Sequence, residues 1–258
     1  MGVRYWVWLS LGLLLWGCSA PHDNPLDPIS PRYRGAIPVP AVLTGTVRSV
    51  HISRIFPSTD SYSVVAELGG QDAGLQDSAW VAFNSGSGVG LVRLGPTLWG
   101  TIFSASYFHA PDFPHLGTVV GRPFLFTARD GQGLMHETGP AYMWRVIEGV
   151  PGVLSPKADS ANTPAQVDAH PDYVWEPFSS DFPFGYEVNV INMTEGFETT
   201  VWTSPLLGDT VLTMQQPDSL PLPAGDYYWT VTVEDSFENS SRSKQGMFTV
   251  APERQDKP

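Results

Sequence analysis

Two imidazoles and a carboxylate fall within seven residues of this chain, as His109, Asp112 and His115 in the stretch HAPDFPH. Such a donor set can hold a transition metal and leave one coordination position open. Nothing nearby supplies partners to orient the imidazoles, and two prolines make the stretch read as an exposed polar loop. His136-Glu137 starts as a zinc-protease helix would, but it continues Thr138-Gly139-Pro140. The second histidine is missing, and the proline would break the helix. Gly86-Ser87-Gly88-Val89-Gly90 lacks both the spacing of a nucleophile elbow and the Lys and Ser/Thr of a phosphate loop. Asp130-Gly131-Gln132-Gly133 and Asp235-Ser236-Phe237-Glu238-Asn239 offer carboxylates to calcium, but fewer oxygens than that ion takes. Their Gly, Asn and Asp are also what β-turns require. The expectation is a chain that is not an enzyme, with no cofactor and no metal.

Aromatic residues remain as possible binding groups. Trp80, Trp99, Trp144, Trp175, Trp202 and Trp229 follow the first forty residues. Most lie on strand-like segments with apolar alternates, which reads as core packing. Trp202, in Thr200-Val201-Trp202-Thr203-Ser204, is expected to be the exposed one. Together with Tyr107, Phe108 and Phe113 it forms the expected binding surface, backed by the loops Asn84 to Gly95 and Tyr107 to Gly117. A flat platform there would make the chain a carbohydrate-binding module; otherwise a protein or polymer contact is expected.

Composition narrows the partners. With 14 basic and 26 acidic side chains the net charge is −12, which opposes binding to nucleic acid or anionic lipid surfaces. Residues 41 to 148 carry 6 basic and 8 acidic side chains, and residues 149 to 251 carry 3 and 14. A single cysteine excludes an intramolecular disulfide and a CxxC pair. Gly 25 and Pro 24 in 258 residues break helices often and favour short strands joined by turns.

Those strands show a period of two. In Ser61 to Leu68, Tyr62, Val64, Ala66 and Leu68 share one face; in Arg122 to Asp130, Phe124, Phe126 and Ala128 do. Thr46 to Ser53, Ala79 to Phe83, Leu98 to Phe108 and Ala141 to Val146 are further strands, with Asn84 to Gly95 and Asp130 to Gly139 as loops. Farther on, Tyr227, Trp229, Val231 and Val233 point inward, while Tyr228, Thr230, Thr232 and Glu234 point outward. Tyr173 to Glu176, Tyr186 to Ile191, Thr200 to Thr203, Thr210 to Thr213 and Gln245 to Val250 accompany them. Gly149-Val150-Pro151-Gly152 reads as a short hinge between two β domains.

The later pieces Leu154-Ser155-Pro156, Val174-Trp175-Glu176-Pro177, Tyr186-Glu187-Val188-Asn189-Val190 and Leu222-Pro223-Ala224-Gly225-Asp226-Tyr227-Tyr228-Trp229, closing on Phe248-Thr249-Val250, occur in order. Over residues 150 to 250 the chain resembles bacterial fibronectin type III-like domains. That resemblance implies two antiparallel sheets with Trp175 and Trp229 in the core. The first domain resembles Ig-like domains more loosely, through Phe124 to Gly133.

At the other end, Tyr5 to Trp16 is an uncharged apolar stretch, too short to span a bilayer and of signal-peptide length. It ends in Leu15-Trp16-Gly17-Cys18, which resembles a bacterial lipoprotein signal, with Trp16 departing from the usual small residue. The resemblance implies acylation of Cys18, cleavage before it, and, with Ser19 following, an outer-membrane destination. Ser19 to Pro40 is dense in proline and should be an extended spacer.

The organisation expected is therefore all-β. Residues 1–17 form a signal peptide and 18–40 an acylated, proline-rich tether. An Ig-like β-sandwich follows at 41–148 and a fibronectin type III-like β-sandwich at 149–251, with a tail at 252–258. The partners expected are the membrane, through acyl chains on Cys18, and an envelope protein or surface polymer. The location expected is the bacterial outer membrane or cell surface.

Overall fold

Apolar residues at every second position become strands whose apolar face is buried, because successive side chains leave a strand on opposite faces. The computed structural model describes residues 41–252 apart from 56–57, 109–115 and 195. Cys18, the segments before residue 41, Phe113 and the HAPDFPH donors lie outside the described residues.

The first sandwich comprises β1 (Thr44–Arg54), β2 (Thr59–Gly69), β3 (Gln76–Phe83), β4 (Val89–Gly90), β5 (Val92–Gly95), β6 (Leu98–Ser104), β7 (Pro123–Asp130), β8 (Met135–Glu137) and β9 (Ala141–Tyr142). One sheet runs β1-β2-β6-β5, and the other runs β4-β3-β7-β8 with β9 also on β7. In order of appearance these are the A-B-E-D and C-F-G strands of an Ig fold, with a short extra strand beside C. Val64, Ala66 and Leu68 meet Phe124, Phe126 and Ala128 between the sheets, all fully buried. The face assignments read from β2 and β7 hold.

The second sandwich comprises β10 (Val153–Ser155), β11 (Ala165–Val167), β12 (Asp172–Trp175), β13 (Phe184–Asn192), β14 (Thr199–Thr203), β15 (Leu207–Gly208), β16 (Thr213–Gln215), β17 (Gly225–Asp235), β18 (Ser240–Arg242) and β19 (Gly246–Val250). Sheet β10-β12-β16 covers a sheet in which β13 holds β14 and β15 on one edge and β17 on the other. Trp175 and Trp229 are both in the core, as the fibronectin type III resemblance implies. Tyr227 Oη donates to the Pro223 carbonyl at 2.8 Å, a tyrosine corner that pins the start of β17. Tyr227, Trp229, Val231 and Val233 face inward. Thr230 and Thr232 are also buried, although they point to the other face. The cross-strand partners of Thr232 are Glu187 and Arg242, whose long polar side chains flank it, and that of Thr230 is Asn189.

Local chemistry corrects several boundaries. Asn84 to Gly95 is not one loop: Asn84 and Ser85 take φ of 48° and 60°. Gly86 N–H bonds back to the Phe83 carbonyl at 2.9 Å, and two left-handed residues make the turn that suits twisted strands. β4 and β5 follow within the same stretch. Likewise β8 lies inside Asp130 to Gly139. The strand expected over Leu98 to Phe108 ends at Ser104, where Ala105–Phe108 turns into a 3₁₀ segment. Of Ala141 to Val146 only Ala141–Tyr142 is strand.

Packing around Trp229 gives a first prediction. Its indole N–H donates to the Pro156 carbonyl at 2.6 Å, beneath Gly246. A methyl at 246 would overlap both the indole nitrogen and that carbonyl. Gly246→Ala is expected to cost about 1–3 kcal/mol, as overpacking does. Urea unfolding followed by tryptophan fluorescence measures it, and an unchanged midpoint would show that the loop at Pro156 yields freely.

Candidate functional site

The two sandwiches meet where the sequence offers little warning. β1 and β18 pair in parallel, with Val50 opposite Ser240, His51 opposite Ser241 and Ile52 opposite Arg242. Among the described residues this makes one eleven-stranded sheet through both sandwiches. The same offset of 190 residues links Arg48 to Glu238, Ser49 to Asn239 and Ile55 to Gln245 through side-chain bonds. The short connector Gly149-Val150-Pro151-Gly152, at which limited freedom is expected, runs beside this ladder. A ladder beside the connector fixes what the connector alone would leave free.

Polar side chains fill this junction and satisfy one another. On β1, Val47 faces the first core, but Ser49, His51 and Ser53 on the same face are buried too. Asn239 Oδ1 accepts from the backbone N–H of Ser49 at 2.9 Å, and the Ser49 hydroxyl lies 3.0 Å from the Arg145 carbonyl and 3.2 Å from the same amide oxygen. Asp235 Oδ1 accepts from the Phe237 and Asn239 N–H groups at 2.8 and 3.0 Å, which closes the β17–β18 turn. Asp235 Oδ2 lies 3.0 Å from Arg145 Nε, on the segment entering the connector. Asp130 works alike in the first sandwich, holding Gln132 and Leu134 N–H at 2.9 Å each, with His136 Nε2 2.9 Å from its other oxygen. Both aspartates act as turn residues, as their sequence contexts suggest.

His51 is the group through which acid is expected to act on the junction. Ser241 gives its hydroxyl proton to the Gly149 carbonyl at 2.6 Å, so it accepts from His51 Nδ1–H at 3.0 Å. The ring stacks on Tyr62 at 4.1 Å between centroids, and its Nε2 is 3.6 Å from Asp60. Burial pushes the imidazole below its ordinary value, outweighing the pull of Asp60. The unfolded chain then binds this proton more readily. The contribution of His51 to stability is expected to be full above about pH 6.5 and to fall as pH drops from there towards the depressed folded value. Thermal melts from pH 8 to 5 should show this slope in the native chain and a smaller one in His51→Gln. Parallel slopes would mean that another group controls the acid limb.

Beside the junction lies a groove of about 340 Å³, lined by Arg48, Tyr142, Trp144, Phe237 and Glu238 among others. Trp144 is 56% exposed and Phe237 46%. Their ring centroids are 5.7 Å apart, and Tyr142 lies 6.0 Å from Trp144. Glu238 holds φ of 62°, a left-handed conformation that suits Gly or Asn better. Strain of this kind tends to gather at functional positions. Its carboxylate meets Arg48 Nη1 at 3.1 Å, while Glu67 grips the same guanidinium through both nitrogens. None of these three rings was singled out as a binding group by sequence. Trp144 sits at the end of an apolar run, next to the fully buried Met143, and takes the outer side by alternation.

The residues that sequence did single out go elsewhere. Trp202 is 8% exposed, not a surface platform. Opposite Val190 on β13, it faces the core and stacks on Tyr173 at 5.9 Å, while Val201 takes the outer side. Tyr107 is partly exposed, but Phe108 packs against Phe83, Phe103 and Phe124 of the first core. The Tyr107 and Phe108 rings stand 86° apart, which is no flat stacking surface. Phe113, the third member of that set, and Cys18 lie outside the described residues.

No family model matches this chain, and no curated protein does. Among solved structures it is similar to the FN1-FN3 domains of chicken CNTN1, at 10% identity and a TM-score of 0.31, covering 83% of this chain. That match takes in 65% of the CNTN1 fragment, so the chain spans just under two thirds of it. It is also similar to the fibronectin(III)-like modules of Clostridium thermocellum CbhA, at 10% identity and a TM-score of 0.33, covering 84% of this chain and 97% of that one. The strand orders described above, rather than these superpositions, define the chain as a pair of β-sandwiches of Ig-like and fibronectin type III-like form.

Proposed function

We propose that this chain is a non-catalytic lipoprotein of a bacterial cell envelope that presents two coupled β-sandwiches to another envelope protein. The observation that carries the reading is the β1–β18 ladder. A sheet continuous through both sandwiches holds their surfaces in fixed register, and preorganised surfaces lose less freedom on binding. The polar side chains at the junction support a non-catalytic role, since Asp235, Asn239, Ser241 and His51 are engaged with one another. Anchorage rests on Leu15-Trp16-Gly17-Cys18. Acyl chains on Cys18 would each contribute roughly 0.8 kcal/mol per buried CH₂, and two or more make a stable anchor. The outer membrane or cell surface is the location this reading gives, and a surface polymer is the alternative to a protein partner.

The test is crosslinking and capture of the tagged full chain from membranes, beside Cys18→Ala. A stoichiometric partner protein that is lost when the cysteine is removed supports the reading. A chain that fractionates as soluble with Cys18 intact, or that captures no partner from well-solubilised membranes, would overturn it.

A further inference from the structure

We propose that the groove formed by Trp144, Phe237 and Tyr142 receives a cationic side chain, arginine or lysine, from a protein partner. The inference rests on the protein-interaction reading above and names the chemistry of the contact.

Three observations converge. The first is aromatic exposure at one place. Trp144 and Phe237 come from different sandwiches, lie 5.7 Å apart at 38°, and are both about half exposed. Their negative ring faces attract a cation within about 6 Å, with tryptophan the strongest. The second is that this protein already uses Phe237 so. The Arg145 guanidinium lies 6.0 Å from the Phe237 centroid and 4.3 Å from that of Phe182.

The third is charge complementarity. Among the described residues Arg48 is the one cation lining the groove, and Glu67 and Glu238 already hold it. Glu234, next to Asp235, is pushed up from its ordinary value by burial and then by Glu187, Glu238 and Asp235, against the pull of Arg48. Glu67, Glu234 and Glu238 thus act on Arg48, and Asp235 on Arg145, so four carboxylates face two arginines. The sandwich that supplies Phe237 and Glu238 carries 3 basic and 14 acidic side chains. An arriving arginine or lysine would meet ring faces and an excess of carboxylate. An anion would meet repulsion. Glu238 places one oxygen on Arg48 while its side chain stays 65% exposed, so it can take a second cation without releasing the first.

The probe is triarginine peptide, titrated into the tagged full chain at 150 mM salt and followed by isothermal titration calorimetry, with tricitrulline as its uncharged isostere. Saturable binding is expected, weakened about fivefold or more in both Trp144→Ala and Phe237→Ala, which leave net charge unchanged. Glu238→Gln should weaken it less, and tricitrulline should not bind measurably. Melting curves of the two alanine variants confirm folding; should one fail to fold, the other decides. Equal binding by both folded variants, or by tricitrulline, overturns the proposal. So does Trp144-dependent binding of a neutral oligosaccharide such as cellohexaose but not of triarginine.

Capture from membranes separates this from the broader reading. A partner still retained by Trp144→Ala leaves the protein-interaction role standing and removes the groove from it. Triarginine binding without any captured partner does the reverse.

Discussion

Asp235→Ala is expected to uncouple the two sandwiches. The carboxylate is buried, caps two backbone N–H groups of its turn, holds the Asn239 side chain and lies 3.0 Å from Arg145. Its removal orphans those donors and leaves Arg145 without its partner, a loss of about 2–4 kcal/mol for charged and buried groups of this kind. The consequence reaches beyond the turn. Asn239 is oriented by Asp235, and Asn239 Oδ1 is what Ser49 on β1 bonds to. Calorimetry should show one transition in the native chain and two in the variant, because the shared sheet no longer ties the sandwiches. Asp235→Asn keeps an oxygen for the two N–H groups but turns an amide towards Arg145, so an intermediate loss is expected. A single transition in Asp235→Ala, at an unchanged temperature, would show that the backbone ladder alone couples the two halves.

The second large effect belongs to the core of the fibronectin-like sandwich. Trp229 is fully buried at the centre of β17, 5.1 Å from Tyr173 and 6.4 Å from Trp175 between ring centroids. Truncation to alanine empties an indole-sized space that neighbouring rings cannot close, and it leaves the Pro156 carbonyl without its donor. A cost of about 3–5 kcal/mol is expected. That is a large part of the stability of any single domain. Trp229→Phe retains most of the ring volume and should lose far less, so chemical unfolding of the pair separates volume from the hydrogen bond. Equal losses would assign the whole effect to the lost donor.

These two residues show different degrees of legibility. Trp229 could be read from the sequence because it lies on a cleanly alternating run, Tyr227 to Glu234, whose inner set is uniformly apolar. Period and hydrophobicity agree there, and burial follows. Trp202 lacks that support. Its strand is an edge with a single inward residue among threonines, so the local pattern carries almost no information about the face. Trp144 fails in the opposite sense: its apolar neighbours suggest a core position, but Met143 takes the inner side and Trp144 the outer.

Local sequence pattern is enough to give the all-β class, the inward faces of β2, β7 and β17, the turn roles of Asp130 and Asp235, and the acidic character of the second half. All of these are local, since a strand's period of two and the hydrogen-bonding of an aspartate turn act over a few residues. The tertiary structure alone decided that β1 and β18 join in parallel. Ser49, His51, Asn239 and Ser241 are unremarkable polar residues in the chain, separated by 190 positions in their pairs. Their burial is tolerated only because each finds a partner on the opposing sandwich, and no local pattern encodes a partner that far away. The aromatic groove arises from the same long-range pairing: Trp144 and Phe237 become neighbours only once the sheet has closed across the junction.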